Sequence, residues 1–247
     1  MKKTKVAIAI DPSLLQVVDS YVDQNHISSR SQAFEFLLRQ AIKERIVDDA
    51  VILMHPDYAA LLTSEVAGMP LLFHHIQLLS DAGVRRVFLI TRKVPELVSL
   101  LDKIRSVDIV FIEQDLGLGT AAALALVKHK ITGTFVLLNG DTLNLFSLQR
   151  MLAKHIRVGK IATMGLIISD AATYCDTVRL DGDLIVGLQR GETVGVINAG
   201  VYVLSPLFLT YLTSGVTSLE SDIFPQLALD HELAGFFTYG TYRHCGK

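Results

Sequence analysis

From residue 48 onward, short apolar runs alternate with stretches whose apolar positions recur at helical spacing. The runs predict buried strands, and the stretches between them predict helices. The strands are AVILM from Ala50, VRRVFLIT from Val84, VDIVFI from Val107 and TFVLLNGD from Thr134; the helices are Pro70 to Ala82, Pro95 to Ile104, one from Thr120 and one from Ser147. This alternation favours a mostly parallel sheet covered by helices on both faces, which binds ligands at the carboxyl ends of its strands. Later short strands, such as INAGVYVL, extend the sheet in a more mixed arrangement.

Residues 1–47 have a different pattern, which predicts a strand followed by two helices. Thr4 to Ile10 alternates in the manner of a half-buried strand, with Lys5, Ala7 and Ala9 on its polar side. Asp11 with Pro12 begins the first helix, and Ser29 with Gln32 forms a capping box for the second. We therefore expect two domains, 1–47 and 48–247.

The small N-terminal unit needs a partner, because fewer than 50 residues with one unpaired strand bury too little surface to be stable alone. Two copies solve this if their strands pair antiparallel across a two-fold axis. The pattern thus predicts a homodimer, and it leaves further assembly of dimers open.

Composition narrows the class of protein. The chain has 247 residues, a formal net charge of −2, 50% hydrophobic and 19% charged residues. It has the apolar content of a compact protein, no apolar run of the roughly 18 residues that a membrane span needs, and no convincing signal peptide. Two cysteines without a CxxC motif argue against a disulfide framework or a structural zinc. We expect a cytoplasmic protein without a membrane partner.

The strand pattern, the Asp-Pro helix start and the SSRSQAF helix opening make residues 3–46 resemble the ribbon-helix-helix family of DNA-binding proteins. The resemblance implies that the ribbon enters the major groove while the start of the second helix grips a phosphate. It implies DNA-binding roles for Lys5, Ala7, Ala9, Ser29, Arg30 and Ser31. Of the three residues expected to read bases, only Lys5 offers a hydrogen-bond donor to a base edge. Dimerisation without DNA binding is the alternative for this unit.

Two short motifs of the large domain carry candidate chemistry. LNGD delivers Asp141 to the carboxyl end of a predicted strand, where a hydrated divalent cation and phosphates can bind. LGTA places a glycine and a threonine before a helix, where backbone amides can approach an anion. With AVIL, GMPLL, INAGVYV and SLESDIFPQL, they make residues 50–247 resemble the sugar-phosphate nucleotidyltransferases.

The resemblance implies a Rossmann-like α/β/α domain in which a sugar 1-phosphate attacks a nucleoside triphosphate and pyrophosphate leaves. Mg²⁺ and basic side chains stabilise the phosphate charge in that family. The residues it implies for nucleotide or sugar-nucleotide binding are Leu118, Gly119, Thr120, Ala121, Gly140, Asp141, Arg190 and Asn198, with Asp141 and His244 at the metal.

The sequence departs from the family at charged positions. Where the family has a basic glycine-rich loop, this chain has HPDYAALLTSEVAG, with no glycine before Gly68 and no lysine or arginine between Met54 and His75. Gln189-Arg190 replaces a Glu-Lys pair, which loses a carboxylate, and His244 replaces a metal-binding aspartate.

These departures favour the hypothesis of a homodimeric DNA-binding transcriptional regulator. Its large domain would be an inactive nucleotidyltransferase-like module that senses a nucleotide or sugar nucleotide, with no catalytic residue assigned. The alternative is an active metal-dependent sugar-phosphate nucleotidyltransferase, dimerised by its N-terminal unit and using Mg²⁺. A structural or assembly protein is the third hypothesis.

Overall fold

The computed structural model describes residues 6–22, 27–41, 47–169, 176–190 and 195–246. The chain separates into two compact units, Met1–Arg45 and Ile46–Lys247.

The first unit contains two helices, α1 (Pro12–Ser20) and α2 (Arg30–Ala41). Asp11 begins α1, because its Oδ1 accepts a hydrogen bond from the Ser13 N–H at 2.8 Å. At the start of α2, the Gln32 N–H donates to the Ser29 hydroxyl at 3.3 Å, while Gln32 Oε1 accepts from the Ser28 N–H at 2.7 Å. The capping pair predicted from Ser29 and Gln32 is formed, with the return bond shifted by one residue.

The strand predicted over Thr4 to Ile10 is not formed in its described part, residues 6–10, which has no regular secondary structure. A strand needs a neighbour for its backbone hydrogen bonds, and a single copy of this unit supplies none among its described residues. The side chain of Val6 is 79% exposed, and the buried core of the unit is small. Its members are Val18, Ile27 and Ala33.

The second unit is built on a nine-stranded sheet with the order β5-β4-β1-β6-β11-β8-β12-β10-β9. Two further two-stranded sheets, β2-β3 and β7-β13, flank it. The strands are β1 Asp49–Leu53, β2 Glu65–Val66, β3 Met69–Pro70, β4 Arg86–Thr91, β5 Asp108–Glu113, β6 Phe135–Asn139, β7 Thr142–Leu145, β8 Ala162–Ser169, β9 Asp176–Asp181, β10 Leu184–Arg190, β11 Gly195–Leu204, β12 Leu233–Phe237 and β13 Thr241–His244.

Helices cover both faces of the sheet. The α-helices are α3 Leu71–Asp81, α4 Pro95–Leu101, α5 Thr120–Ala125, α6 Leu148–Val158 and α7 Phe224–Leu229. Other helical segments, of 3-10 or π type, are Pro56–Thr63, Lys128–Lys130, Pro206–Tyr211 and Leu219–Ile223. α3, α4 and α6 pack into the apolar core on one face, and α5 and α7 into the core on the other.

The central strand explains why its sequence is an unbroken apolar run. Successive side chains of a strand point to opposite faces. Val51 and Leu53 of β1 enter the core beside α5 and α7, while Ala50 and Ile52 enter the core beside α3 and α6. Both faces are covered, so every residue of β1 is buried.

The parallel half of the sheet comprises β5, β4, β1 and β6. The remaining pairs are antiparallel except β8 with β12, which is parallel. The expectation of a mostly parallel sheet therefore holds for the first half and not for the extension. β11 pairs antiparallel with β6, and so joins the two halves.

Candidate functional site

A cavity of about 150 Å³ opens beyond the carboxyl ends of β1, β4, β5 and β6. Parallel α/β sheets bind ligands at this edge. The cavity is lined mostly by apolar groups, with a few polar side chains. The lining residues are Leu53, Met54, His55, Pro56, Ile90, Gln114, Gly117, Leu118, Gly119, Thr120, Ala123, Asn139 and Asp141. None of them is a lysine or arginine, and Asp141 is the acidic side chain among them.

Gly140 brings the LNGD turn against the end of β1. Its N–H donates to the Leu53 carbonyl at 2.7 Å. A Cβ at position 140 would lie 3.0 Å from Met54 Cβ and 3.1 Å from the Leu53 oxygen, so only glycine fits without displacement. This close approach sets Asn139 and Asp141 on the cavity wall.

Asp141 and His244, expected to share a metal, lie side by side. His244 Nε2 is 3.6 Å from Asp141 Oδ2, and the two side chains are about one third exposed. The pairing of β7 with β13 places them there, together with a 2.7 Å hydrogen bond from the Cys245 N–H to the Asp141 carbonyl. His244 Nδ1 accepts a hydrogen bond from the Gly246 N–H at 3.2 Å, which assigns the proton of a neutral ring to Nε2.

The LGTA element is fixed to the SLESD segment, a hundred residues further along the chain. The Thr120 hydroxyl donates to Glu220 Oε2 at 2.7 Å and accepts from the Leu219 N–H at 2.9 Å. The Ala121 N–H donates to the Thr217 carbonyl at 2.9 Å. Gly119 has a φ of +88°, and any side chain there would collide with that same carbonyl. The element is therefore held in one conformation by long-range contacts.

Asn198 and Arg190, which the family resemblance assigns to ligand binding, are not among the residues that line the cavity. Asn198 Oδ1 accepts from the Gly200 N–H at 3.0 Å, and its Nδ2 donates to the Tyr202 hydroxyl at 2.7 Å. Its amide therefore supports the irregularity in β11. Arg190 ends β10, and its side chain lies outside the described part of the structure.

The segment where the family has a basic loop begins with the 3-10 helix Pro56–Thr63. His55 begins this helix, because its Nδ1 accepts from the Asp57 N–H at 3.3 Å. A Cβ on Gly117 would come within 2.6 Å of His55 Nε2, so the imidazole lies directly against the turn that precedes LGTA. Three buried residues of this helix, Pro56, Ala59 and Leu62, attach the segment to the body of the unit.

Three polar lining residues escaped the sequence reasoning: His55, Gln114 and Asn139. Gln114 Nε2 donates to the Leu116 carbonyl at 2.7 Å, which leaves its oxygen as the group to accept from a ligand. Asn139 Oδ1 is buried without a hydrogen-bond partner. Asn139 stands directly before Gly140-Asp141, so its place in the motif was the available signal. His55 and Gln114 are single residues after strand ends, and they form no motif.

A buried histidine contacts the backbone of the turn that carries Asp141. The Nε2 atom of His75, on α3, is 2.8 Å from the Thr142 carbonyl oxygen. Because a carbonyl can only accept a hydrogen bond, Nε2 carries the proton. Its burial, which disfavours the charged ring, lowers the pKa of His75 to about 4. The side chain acts as a neutral hydrogen-bond donor at neutral pH.

The structure describes most of the residues expected to contact DNA, and their contact with DNA stays a prediction. Lys5 lies outside the described residues, and Ala7 and Ala9 are exposed without being on a strand. The Ser29 hydroxyl caps α2, and Ser31 is exposed beside it. The Arg30 guanidinium is bound by the Asp19 carboxylate, at 2.7 and 2.9 Å. Arg30 therefore forms an exposed ion pair within the unit, with side chains 57% and 41% exposed.

Known proteins identify the class of the large unit. The fold is that of nucleotidyltransferase-type α/β domains: HddC from Yersinia pseudotuberculosis superposes with a TM-score of 0.67 at 20% identity, covering 80% of this chain and 93% of that one. A UDP-glucose pyrophosphorylase complexed with UDP-glucose gives a TM-score of 0.67 at 12% identity, covering 81% and 94%. The nucleotidyl transferase family model matches residues 60–237, and the chain belongs to this family.

Relatives found by sequence similarity are named for a particular nucleotidyl transfer reaction. The mannose-1-phosphate guanylyltransferase catalytic subunit beta of Drosophila pseudoobscura pseudoobscura is 28% identical over 195 residues, which is 74% of this chain and 52% of that protein. The corresponding Dictyostelium discoideum protein is 29% identical over 180 residues, 68% of this chain and 50% of its own length. The chain spans about half the length of these curated relatives.

These relatives correct the functional hypothesis of a DNA-binding transcriptional regulator with an inactive large domain. Relatives named as guanylyltransferases favour the alternative, an active enzyme, and the regulator interpretation is wrong. It gave the missing basic loop too much weight, although the fold, the LGTA element and the LNGD turn are all retained. The family match begins at residue 60 and gives no support to a ribbon-helix-helix unit over residues 3–46. Self-association through the N-terminal unit stays a prediction.

Membrane insertion finds no support in the described helices. None of them is both long and apolar enough to cross a bilayer.

Proposed function

We propose that this chain transfers a nucleotidyl group from a nucleoside triphosphate to a sugar 1-phosphate. Guanylyl transfer to mannose 1-phosphate is the first reaction to test, because the relatives are named for it. Family membership and the fold support the reaction class.

The observation that carries the proposal is the composition of the cavity wall. Leu118, Gly119 and Thr120 line one side, and Asp141 lines another, so the two motifs quoted from the sequence meet around one space. The space lies at the carboxyl ends of parallel strands, where this class of sheet binds nucleotides. Its polar lining side chains include Gln114, whose oxygen is left to accept from an N–H or O–H donor of a base or ribose.

The reaction needs positioning more than covalent catalysis. An oxygen of the sugar phosphate attacks the α-phosphorus and forms a new P–O bond. The bond from the α-phosphorus to the bridging oxygen breaks, and pyrophosphate leaves with that electron pair. The protein holds both phosphates in line and stabilises the charge that develops on them.

Asp141 fits the role of a protein ligand to Mg²⁺. This ion is commonly held by one or two carboxylates together with substrate phosphates, and Asp141 is a carboxylate on the cavity wall that is about one third exposed. When bound, the ion would neutralise phosphate charge.

His244 does not fit as the second ligand in its observed arrangement. A histidine ligand donates its other ring N–H to a neighbour, whereas His244 Nδ1 accepts from Gly246. Among the described residues no group of three or more His, Cys, Asp or Glu is placed to hold a metal. His244 is better described as a neighbour of the Asp141 carboxylate, 3.6 Å from its Oδ2, with no hydrogen bond between the two side chains.

The test is pyrophosphate release from a panel of nucleoside triphosphates and sugar 1-phosphates, with Mg²⁺ or Mn²⁺ and the full chain. Nucleotide sugar is identified by mass spectrometry. Asp141→Asn should lower the rate about 100-fold or more, since it removes the carboxylate of the site. Asp102→Asn, at the exposed end of α4, is the matched control and should match the wild type. Release no faster than the enzyme-free blank with every substrate pair would refute the proposal.

A further inference from the structure

The cavity lacks the cations that its proposed substrates need. None of its lining residues is a lysine or arginine, and neither residue type occurs between Met54 and His75. A triphosphate carries several negative charges, and transferring its nucleotidyl group requires donors for them. Besides a bound metal ion, any lysine or arginine that contacts the phosphates must therefore lie beyond the lining residues, at the rim.

Arg92 lies at that rim, in the loop that follows β4. Its Nη1 is 3.5 Å from Asp57 Oδ1 and its Nε is 3.7 Å from Asp115 Oδ1, while its Nη2 donates to the Asp115 carbonyl at 3.0 Å. Asp57 directly follows the lining residue Pro56, and Asp115 directly follows the lining residue Gln114. The guanidinium thus stands between two of the segments that form the mouth of the cavity.

The partners of Arg92 hold it weakly. The Arg92 side chain is 43% exposed, and the side chains of Asp57 and Asp115 are 66% and 68% exposed. Ion pairs of such exposed groups contribute little, because water screens them. A phosphate group has more charge than a carboxylate and matches the planar fork of a guanidinium in a bidentate manner. Phosphate can therefore displace the aspartates.

We propose that Arg92 is a phosphate-binding residue of this site, which supplies from the β4 loop the charge that related proteins place in the loop after β1. In the free protein Asp57 and Asp115 hold the guanidinium at the cavity mouth, and the nucleotide phosphates take their place. The inference deepens the proposed function and rests on its nucleotide-binding cavity.

The alternative role for Arg92 is a purely structural tie between the two loops, and the direction of the Asp57 effect separates the two roles. If Arg92 binds phosphate, Asp57→Asn removes a competitor and tightens triphosphate binding. If Arg92 only ties the loops, Asp57→Asn loosens the tie and weakens binding, as Arg92→Ala does.

The experiment is calorimetric titration of the full chain with guanosine, GMP and GTP in the presence of Mg²⁺. We expect Arg92→Ala to weaken GTP about 10- to 100-fold and to leave guanosine unchanged, as expected for the loss of a charged hydrogen bond. Asp57→Asn should tighten GTP about two- to fivefold. Arg85→Ala is the matched control. Arg85 directly precedes β4, at the end of the strand away from the cavity, and forms an exposed ion pair with Asp48. This variant should bind GTP as the wild type does.

Three results would overturn the inference: equal weakening of guanosine and GTP by Arg92→Ala, weaker GTP binding by Asp57→Asn, or wild-type GTP affinity no higher than guanosine affinity. Pyrophosphate release, measured in parallel, separates the two proposals. A chain that makes no nucleotide sugar but shows the expected binding pattern refutes the proposed function alone. A chain that makes nucleotide sugar equally well with Arg92→Ala refutes the inference alone.

Discussion

The two walls of the cavity are held in different ways. The Thr120 wall, residues 117–123 with 217–220, is fixed by hydrogen bonds between segments a hundred residues apart. The His55 wall, residues 54–63, is fixed mainly by local bonds, such as those from the Asp57 N–H to the His55 ring and from the Tyr58 N–H to the His55 carbonyl. The Thr120 wall keeps the motif of the family, and the His55 wall lacks it. The exposed positions of such a wall can change without disturbing the sheet beneath it, whereas its buried residues Met54 and Leu62 belong to the core.

The largest effect should come from breaking the Thr120 wall at Gly119. Its φ of +88° and ψ of 160° lie in a region open essentially to glycine, and a Cβ would collide with the Thr217 carbonyl. We expect Gly119→Ala to lower the free energy of unfolding by at least about 3 kcal/mol. Urea denaturation measures this.

The control for Gly119 is Gly159, which has a φ of +61° and open space around its missing Cβ. Gly159→Ala should therefore lose only about 1 kcal/mol, from the backbone conformation alone. Equal losses of unfolding free energy in the two variants would mean that the close approach of the Thr217 carbonyl does not add to the cost of Gly119→Ala.

The next effect is a pH dependence from the turn that follows Asp141. Burial lowers the pKa of His75 to about 4, from an ordinary value of 6.5, so the folded chain favours the neutral ring. The stability this gives is complete above pH 6.5 and is lost as the pH falls towards 4, because the unfolded chain takes up the proton first. His75 should contribute up to about 3 kcal/mol to that loss.

Unfolding free energies at pH 7 and pH 4.5 check this. His75→Gln should reduce the difference between the two pH values, whereas His129→Gln, at an exposed position, should leave it as in the wild type. His155, whose pKa burial also lowers to about 4, accounts for part of the remaining difference. An unchanged difference in His75→Gln would show that His75 is protonated without cost.

A smaller effect should come from the Thr120 hydroxyl. Thr120→Val keeps the shape but leaves the Leu219 N–H and the Glu220 carboxylate without this partner, at a cost of about 1–3 kcal/mol. Thr210→Val removes one exposed hydrogen bond to the Leu207 carbonyl and should cost less than about 0.5 kcal/mol. Thermal or urea unfolding compares them, and a Thr120 loss as small as that of Thr210 would show that the hydrogen bonds of Thr120 to Leu219 and Glu220 contribute little to stability.

The smallest effect should come from the His55 wall. The Tyr58 side chain is about half exposed, and its ring centroid lies 5.7 Å from that of His55. We expect Tyr58→Ala to cost less than about 1 kcal/mol of unfolding free energy. A loss larger than that of Thr120→Val would show that the two walls are held equally firmly.

Much of the second unit could be predicted from the sequence. An unbroken apolar run such as that of β1 arises when both faces of a strand are covered, and the helices between such runs follow from their spacing. Short pairings between distant segments have no comparable signal. β7 with β13 is an example: each has four residues, and they lie about a hundred positions apart.

The candidate site could be predicted only where a motif marks it. Leu118, Gly119, Thr120 and Asp141 were marked and line the cavity, but their connection through Glu220 was not. Arg92 is part of no sequence motif, and a single arginine after a strand is typical of any surface loop. The absence of the basic loop predicted a loss of catalytic activity, because the sequence alone does not show which distant residues the fold places beside the cavity.

The position of β11 in the sheet has a consequence for synthesis on the ribosome. β6 is complete at Asn139, but its neighbour on the open side, β11, begins only at Gly195. For more than fifty residues of elongation the mostly apolar strand Phe135–Asn139 is therefore an unpaired edge, the kind of surface on which nascent chains aggregate. Chaperone contact with this chain should concentrate in that interval.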